Sequence, residues 1–386
     1  MSKVRSQRTL LWVVGLLLVA SLVIMGVQFN RGPARVRAEV VGYAPAGDST
    51  GFERATAPRA FDFPADHGPH PRFQMEWWYY TGNVQMTTGR AFGYQLTFFR
   101  RALASDMSAR SSEFATNQVF MAHFALTDVE GHHFYSTERW ARGAAGQAGA
   151  QGMPYRVWLD DWSASASVPG SMHLVAENEG VALDLMLREV KAPVLQGDAG
   201  LSQKSTEVGN ASYYYSLTRL ETQGVIRVNG QAFTVRGPSW MDHEFGTSSL
   251  GPNAVGWDWF SLQLVDGREL MYFRIRRSDG SIEPVSGGVL VEPDGRQHRL
   301  YQDDVHLEVL SFWQSPRTGA RYPARWRLRV VPTGEVLEVV PVLADQELQV
   351  TAPYWEGAVR VYGGAGVVGV GYVEMTGYVG SMRDRF

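Results

Sequence analysis

The chain has 386 residues, a hydrophobic fraction of 45% and a formal net charge of −3, so it can form two folded domains and is not disordered as a whole. The near-neutral charge and the lack of a basic stripe give no reason to expect nucleic acid as a partner. Cysteine is absent, which excludes disulfides, thiolate catalysis and any metal site built on cysteine.

The N-terminus has the pattern of an export signal. Three basic residues precede an apolar run of roughly 18 residues, from Leu10 to Val27, and the first acidic residue is Glu39. Residues 1–30 are therefore predicted to be a signal peptide or a transmembrane anchor, and the length of the run favours the anchor. Positive charge ahead of the run predicts that the body is translocated, so we expect a periplasmic or other extracytoplasmic protein tethered to the inner membrane. The mixed composition of residues 31–59 predicts a linker between membrane and body.

From residue 60 onward the pattern is that of β-strands separated by turns. Apolar and polar residues alternate, as they do in strands with one buried face, and no long segment keeps the 3.6-residue period of a helix. The clearest strand segments are 117–127, 155–163, 181–190 and 213–220. The glycine-rich stretch 143–152 is predicted to be an exposed loop of low complexity. The fold class predicted from these patterns is all-β.

An internal repeat predicts two similar domains. An aromatic segment, 77–80, is followed by a Gly-Arg turn and by residues 92–101, which end in paired arginines. The same order recurs about 180 residues later, in segments 257–260 and 270–277. This spacing suits duplicated β domains rather than a solenoid, and sheets this aromatic need closure as barrels or half-barrels. The predicted domains are 60–246 and 247–386.

Six short stretches, taken in their order along the chain, carry a family resemblance. They are QMEWWYYTGN (74–83), SYYYS (212–216), PSWMDHEFG (238–246), RYPARW (321–326), PYWEG (353–357) and GYVEMTGY (371–378). Together they resemble the AttH / CrtC (carotenoid 1,2-hydratase) family, over about residue 60 to the C-terminus. The resemblance implies two consecutive lipocalin-like β domains, which agrees with the repeat. Because genes of this family commonly lie beside ABC transporter genes, it also implies an ABC transporter permease as a partner.

One branch of this family adds water to a terminal double bond of acyclic carotenoids. Protonating an alkene needs a carboxylic acid that an apolar pocket keeps protonated, and aromatic faces stabilise the resulting cation. The candidate acid–base residues are Asp242, His243, Glu244 and Tyr272. The candidate ligand-binding residues are Glu76, Trp78, Tyr80, Trp240, Phe245, Trp257 and Trp259.

The chain departs from the hydratase pattern at two positions. Hydratase members carry a tryptophan two positions after the histidine, and a Tyr-x-Asp pair on the following strand. This chain has Phe245 and Arg274 at those places. Under that alignment the proton-donating aspartate is missing, and a guanidinium would oppose formation of a cation. The departure favours the AttH-like branch.

The candidate residues also have structural interpretations. Asp242, His243 and Glu244 can be catalytic, bind a metal, or form a polar network at the domain junction. Because strand side chains alternate, Asp242 and Glu244 are expected on one face and His243 on the other. Glu76 can be a pocket acid with a raised pKa, or a carboxylate that pairs with Arg100. The aromatic strands can fill a core with one face and line a cavity with the other.

Three functions are open at this point. The first is an exported lipocalin-like protein that binds an apolar, amphipathic or isoprenoid-like molecule and serves an ABC transporter. The second is a hydro-lyase that adds water to an isoprenoid or carotenoid double bond. The third is a structural accessory subunit. No nucleotide-binding, dinucleotide-binding, serine-hydrolase or zinc-protease motif occurs, so no cofactor and no metal is predicted.

Overall fold

The regular secondary structure of the described residues is almost entirely antiparallel strand, which confirms the all-β prediction. The computed structural model describes residues 49–106, 112, 115–166, 168–248, 250–364 and 366–382. The predicted signal or anchor at 1–30, and the linker up to residue 48, lie outside these residues. Among the helices that the structure does describe, none is long and apolar enough to span a membrane.

In the described residues, the first thirteen strands form one sheet that curls into a near-barrel. They are β1 Met75–Gln85, β2 Ala91–Ala102, β3 Gln118–Asp128, β4 His133–Arg142, β5 Ala148–Gln151, β6 Arg156–Leu159, β7 Trp162–Ser165, β8 Ser171–Asn178, β9 Val181–Glu189, β10 Val194–Leu195, β11 Leu201–Gln203, β12 Ala211–Val228 and β13 Gln231–Gly246. Neighbours follow the order β4-β3-β2-β1-β13-β12-β9-β8-β7-β6-β5, and β10 and β11 pair with β12. A 3-10 helix, Ala65–His67, precedes the sheet.

The remaining described strands form a second sheet, which curls into a half-barrel. They are β14 Ala254–Leu264, β15 Glu269–Arg277, β16 Gly287–Val291, β17 Gln297–Tyr301, β18 Val305–Gln314, β19 Arg321–Val330, β20 Glu335–Pro341, β21 Glu347–Leu348, β22 Tyr354–Gly363 and β23 Gly366–Met375. Their order is β17-β16-β15-β14-β23-β22-β20-β19-β18, with β21 on β22. A 3-10 helix, Gln302–Asp304, lies between β17 and β18.

The two sheets begin and close in the same way, which explains the repeat in the sequence. The first four strands of each sheet are neighbours in chain order, and the first strand pairs on its other side with the last. Thus β1 pairs with β2 and β13, and β14 pairs with β15 and β23. Both copies of the repeated motif are the opening hairpin of a sheet. The first sheet ends at Gly246 and the second begins at Ala254.

Side-chain alternation produces three layers of buried side chains. One face of each sheet fills its own core, with Trp78 in the first and Phe260 in the second. The opposite faces pack together as a third layer, here called the inter-sheet layer. Its members include Trp77, Tyr79, Tyr214, Trp240, Asp242, Glu244, Trp257, Trp259, Met271, Glu356, Ala358, Tyr372 and Glu374. Each fully buried aromatic ring contributes about 2–3 kcal/mol to folding.

Close approach of the two sheets requires a glycine on β2. A Cβ atom placed on Gly93 would lie 2.5 Å from the Cβ of Ala358 and 3.2 Å from the hydroxyl of Tyr372. Carbon atoms pack at about 3.5–4.0 Å, so only glycine lets β2 and β22 meet at this distance.

Two segments differ from the simplest sequence interpretation. The predicted strand at 155–163 is two strands, because the chain turns at Asp160, where φ is +53°. The predicted loop at 143–152 is wrong for Ala148–Gln151, which form β5 and pair with β6. Gly149 leaves room there for the ring of Trp158, which a Cβ atom would approach to 2.6 Å.

Residues 49–59, the described end of the predicted linker, lie against the first sheet. Phe52 and Ala55 are both buried. Ala55 belongs to a small apolar cluster with Phe73, Tyr213 and Phe245 at the start of β1 and the end of β13. This segment therefore covers one end of the first sheet.

Candidate functional site

The structure does not bring the four predicted acid–base residues together. On β13, His243 faces the core of the first sheet, where its imidazole contacts Glu76, whereas Asp242 and Glu244 face the inter-sheet layer. Tyr272 lies in the core of the second sheet. The alternation predicted for residues 242–244 is confirmed, and it separates the histidine from both carboxylates.

The core of the first sheet holds a chain of buried hydrogen bonds around His243. Its Nε2 lies 2.9 Å from Glu76 Oε1, and its Nδ1 lies 3.0 Å from the hydroxyl of Tyr215. The same hydroxyl lies 2.7 Å from Nδ1 of His67. The ring of Trp78 stacks on His243 with centroids 5.0 Å apart. This histidine cluster is completed by Asp66, His70 and Arg100.

Glu76 is the acceptor at the centre of the histidine cluster. Arg100 Nε donates to Oε2 at 2.9 Å, and His70 donates its backbone N–H to the same oxygen at 2.9 Å. Burial alone would raise the pKa of Glu76, but the charge of Arg100 and the contacts of both imidazoles hold it well below its usual range. A pocket acid with a raised pKa is thus the wrong interpretation, and the pairing with Arg100 is confirmed.

The three histidines of the cluster titrate differently because their surroundings differ. Burial lowers the pKa of His67 to about 4, and His243 adds to this effect. Burial also lowers the pKa of His243. At His70 the carboxylates of Asp66 and Glu76 outweigh burial and raise the pKa. Among the three histidines, protonation is therefore most favourable at His70.

His70, Glu76 and His243 are also the residues that could hold a metal ion. One ligand atom from each lies within 4.8 Å of the other two. All three atoms already take part in hydrogen bonds, and Arg100 binds the second oxygen of Glu76. Phe245, a predicted ligand contact, instead stacks on His70 at 3.5 Å between centroids. These hydrogen bonds by themselves account for the arrangement of the three side chains as a structural network.

Trp78 and Tyr80, two other predicted ligand contacts, are fully buried in the first core. The indole N–H of Trp78 donates to the carbonyl of His67 at 2.9 Å. The hydroxyl of Tyr80 lies 2.6 Å from that of Tyr155. Both side chains therefore have protein partners for their polar atoms.

The inter-sheet layer holds Asp242 among aromatic rings. Its carboxylate accepts hydrogen bonds from Tyr214 at 2.6 Å, Ser216 at 2.5 Å and the indole of Trp240 at 2.7 Å. Trp259 in turn donates to the Tyr214 hydroxyl at 3.2 Å. Burial raises the pKa of Asp242 to about 7 despite these three donors. At neutral pH the group is close to half protonated.

Glu244, the other inward carboxylate of β13, has a basic partner. Lys204 lies 2.5 Å from Glu244 Oε1, and Ser212 donates to the same oxygen. The Lys204 ammonium is 5.7 Å from the ring centroids of Tyr214 and Phe273. Lys204 therefore balances the negative charge of Glu244 on this side of the layer.

Glu356 and Glu374 are functional candidates that the sequence analysis missed. They are directly opposite each other on β22 and β23. Glu356 is 1% exposed, and neither of its oxygens forms a hydrogen bond of regular geometry, although the hydroxyls of Tyr79 and Tyr354 lie near them. Glu374 accepts from the indole of Trp257 at 3.1 Å, and burial raises its pKa to about 7 although part of the side chain reaches the surface. Burial and Glu374 raise the pKa of Glu356 well above its usual value.

Further orphaned polar atoms surround this pair. The hydroxyls of Tyr79 and Tyr372 are buried and form no hydrogen bond of regular geometry, although they lie near Glu356 and Thr127 respectively. Both tyrosines belong to the inter-sheet layer, and the hydroxyls of Tyr79 and Tyr354 face Glu356. A signal for the missed carboxylates does exist, because the residues next to each in its strand are glycine, aromatic or aliphatic.

A cleft of about 230 Å³ opens beside the layer, between β11 and strands β15 to β17. Its lining includes Ser202, Met271, Phe273, Gly288 and Tyr301. Met271 belongs to the inter-sheet layer, so the cleft leads to the layer from the Lys204 side.

Arg274, where the hydratase pattern has an aspartate, is neutralised in the second core. Its Nε donates to Asp258 at 2.8 Å, and Arg276 donates to the other oxygen of Asp258 at 3.1 Å. Asp258 is fully buried, and Tyr378 also donates to it at 3.0 Å. These groups and Tyr272 belong to the second sheet's inner face, away from Asp242.

Comparison with known proteins places the fold in a family. A sequence model described as AttH-like matches residues 54–378. No curated protein matches the chain. A putative AttH from Nitrosomonas europaea is 34% identical, with a TM-score of 0.77 over 85% of this chain and 100% of that one. Kievitone hydratase from Nectria haematococca is 13% identical, with a TM-score of 0.62 over 86% of this chain and 97% of that one.

A third solved structure, CghA, has a TM-score of 0.53 at 14% identity, over 86% of this chain and 97% of that one. At 13% and 14% identity, kievitone hydratase and CghA share the fold and nothing finer is implied. The AttH structure and the family match agree with the stretches that carry the resemblance in the sequence. The chain belongs to the AttH-like family.

Proposed function

We propose that this protein binds an apolar or amphipathic small molecule, with an isoprenoid-like skeleton, in the inter-sheet layer. The observation that carries the proposal is a group of buried polar atoms that form no hydrogen bond of regular geometry: the hydroxyls of Tyr79 and Tyr372 and both oxygens of Glu356. Leaving a buried polar group unsatisfied costs about 1–3 kcal/mol, and native proteins tolerate few such groups. A ligand whose polar end enters this layer would satisfy them.

The surroundings of these atoms suit a largely apolar ligand. Trp240, Trp259 and Tyr79 present aromatic faces, with ring centroids 5.3–6.2 Å apart. Trp257 and Glu374 are only partly buried and provide a route from the surface. Apolar walls with a few convergent polar groups are typical of small-molecule sites.

A location outside the cytoplasm completes the proposal. The apolar run and basic residues of segment 1–30 support export and tethering to the inner membrane. The family resemblance supports an ABC transporter permease as the partner that delivers or receives the ligand. The protein would then carry an apolar molecule that dissolves poorly in water.

The second candidate function is hydration of an isoprenoid double bond. Asp242, with a pKa raised to about 7 by burial, offers a carboxylic acid beside Trp240 and Trp259, as alkene protonation requires. Arg274 does not oppose a cation here, because it pairs with Asp258 in the second core. The name of kievitone hydratase makes the reaction worth testing, although that likeness covers the fold alone.

Native mass spectrometry of the purified protein, with organic extraction of bound molecules, tests the proposal. A stoichiometric apolar ligand, lost in a Trp259→Ala variant and retained in a Trp158→Ala variant of the outer surface, is the expected result. Turnover of that ligand by the wild type but not by Asp242→Asn would establish the hydro-lyase. An unliganded protein that takes up neither lipids nor isoprenoids would contradict binding and favour a structural accessory subunit.

A further inference from the structure

Three carboxyl groups of the inter-sheet layer have no basic partner. Asp242 is bound by hydroxyl and indole donors and Glu374 by an indole, whereas Glu356 faces only the hydroxyls of Tyr79 and Tyr354. Within the described ranges, no lysine, arginine or histidine forms an ion pair with any of these three. Glu244 alone has Lys204. Buried carboxyl groups are otherwise paired in this protein, as Glu76 is with Arg100.

Because Glu356 and Glu374 are neighbours, the absence of a basic partner is less favourable for them than for a single carboxyl group. They are directly opposite on antiparallel neighbours, where Cβ atoms are about 4.5–5.5 Å apart and like charges destabilise the sheet. Glu356 is almost fully buried, so water cannot screen it. A pair of this kind is stable when it is protonated, or when a positive group lies between the two carboxylates.

Aromatic faces complete a receptor for a positive group. Trp259 is directly opposite Glu374 on β14, and Trp257 donates its indole N–H to the same glutamate. The ring of Tyr79 meets that of Trp259 edge to face at 5.3 Å, and its hydroxyl faces Glu356. Aromatic faces attract ammonium groups, most strongly where water is excluded.

We infer that the ligand carries a protonated amine, which the Glu356–Glu374 pair receives between the two sheets while the apolar part lies against Trp259 and Tyr79. This inference rests on the proposed function and narrows it to amphipathic amines. The three N–H donors of a primary ammonium can be accepted by the oxygens of Glu356 and by the hydroxyl oxygens of Tyr79 and Tyr372, which together offer four acceptor atoms. An alcohol of the same skeleton supplies one donor and no charge, and a carboxylate is repelled.

Binding of an amine should also release protons. Burial raises the pKa of Glu374 to about 7 and that of Glu356 well above its usual value, so the empty site favours the protonated form of both carboxyl groups. An entering ammonium favours the ionised carboxyls, and their protons pass to the buffer. The same release is not expected for a neutral alcohol.

Isothermal titration of the full-length protein with geranylamine, geraniol and geranate tests the inference, because these probes share a skeleton and differ in the end group. At neutral pH we expect geranylamine to bind at least about tenfold more tightly than geraniol, and geranate more weakly than geraniol. Repeating the titration in buffers of different ionisation enthalpy should show proton release with the amine alone. Glu356→Gln removes the charge while keeping the size of the side chain, and it should abolish the preference for the amine over geraniol.

Two further variants keep the test decisive. Glu374→Gln alters a partly exposed side chain and answers the same question if Glu356→Gln does not fold. Glu308→Gln removes an exposed carboxylate on the second sheet and should preserve the preference. Equal affinities for geraniol and geranylamine, or a preference that survives both inter-sheet variants, would overturn the amine inference while leaving ligand binding intact. Binding of none of the three probes would overturn both.

Discussion

Replacing Asp242 with asparagine should remove a large pH dependence of stability. The folded protein raises the pKa of this carboxyl from 3.8 to about 7, so the folded state binds its proton more tightly than the unfolded chain. At about 1.4 kcal/mol per pKa unit, the shift corresponds to about 4 kcal/mol. Because the folded pKa is raised, this stability is fully present below 3.8 and is lost as the pH rises through about 7.

Asparagine mimics the protonated acid and can keep most of its contacts. Its carbonyl can accept from Ser216 and Trp240, as Oδ1 does, and its amide can donate to the Tyr214 hydroxyl. Urea unfolding at several pH values, followed by tryptophan fluorescence, measures the difference. We expect the free energy of unfolding of the variant, relative to the wild type, to increase by about 4 kcal/mol between about pH 4 and about pH 8. Parallel pH profiles of the two proteins would refute the raised pKa of Asp242.

Three further variants and one control test the packing and charge of the described residues. Glu269→Gln should lower the free energy of unfolding in urea by about 3–5 kcal/mol, because it leaves Lys191 without its charge partner across the sheets. The control Glu221→Gln, in an exposed ion pair, should lower the free energy of unfolding by less than about 1 kcal/mol. His67, whose pKa is lowered from 6.5 to about 4, should make the wild type gain about 3 kcal/mol of stability as the pH rises across that range. A His67→Gln variant that keeps this gain would contradict the assignment. Gly93→Ala should cost about 1–3 kcal/mol by overpacking against Ala358, and an unchanged urea midpoint would show that the sheets can separate there.

The strands and their faces could be predicted because both follow from local alternation. Segments 117–127 and 181–190 correspond within a residue to β3 and β9. The opposite orientations of Asp242 and His243 also follow from the two-residue period alone. The repeat predicted equivalent hairpins because each copy keeps its turn, its aromatic strand and its paired arginines.

Contacts between distant segments could not be predicted in the same way. The sign of the pKa shift at Glu76 depends on Arg100 and on His70, which the loop before β1 brings to the first core. The pairing of Glu356 with Glu374 depends on the register of β22 and β23, and its relation to Asp242 depends on how the two sheets pack. Strand β5 was missed because glycine and alanine carry almost no alternation signal.

The placement of the candidate residues in one layer could be predicted in part. Trp240, Trp259 and Asp242 do share one layer, as candidate residues of one cavity should. Tyr272 does not lie in this layer, because its side chain is on the face of β15 that points into the second core. Sequence alternation fixes the face of each strand, but only the packing of one sheet on the other decides which faces meet.

The central claim is that the ligand lies between the two sheets, and a crosslinking map tests it most directly. The protein would be irradiated with a photoreactive isoprenoid amine, digested, and its labelled peptides identified by mass spectrometry. We expect labels on peptides that contain Trp257, Glu356 and Tyr372, with competition by unlabelled geranylamine. Labels on Tyr80 or Tyr155 in the first core, or labels scattered over the outer surface without competition, would contradict the account.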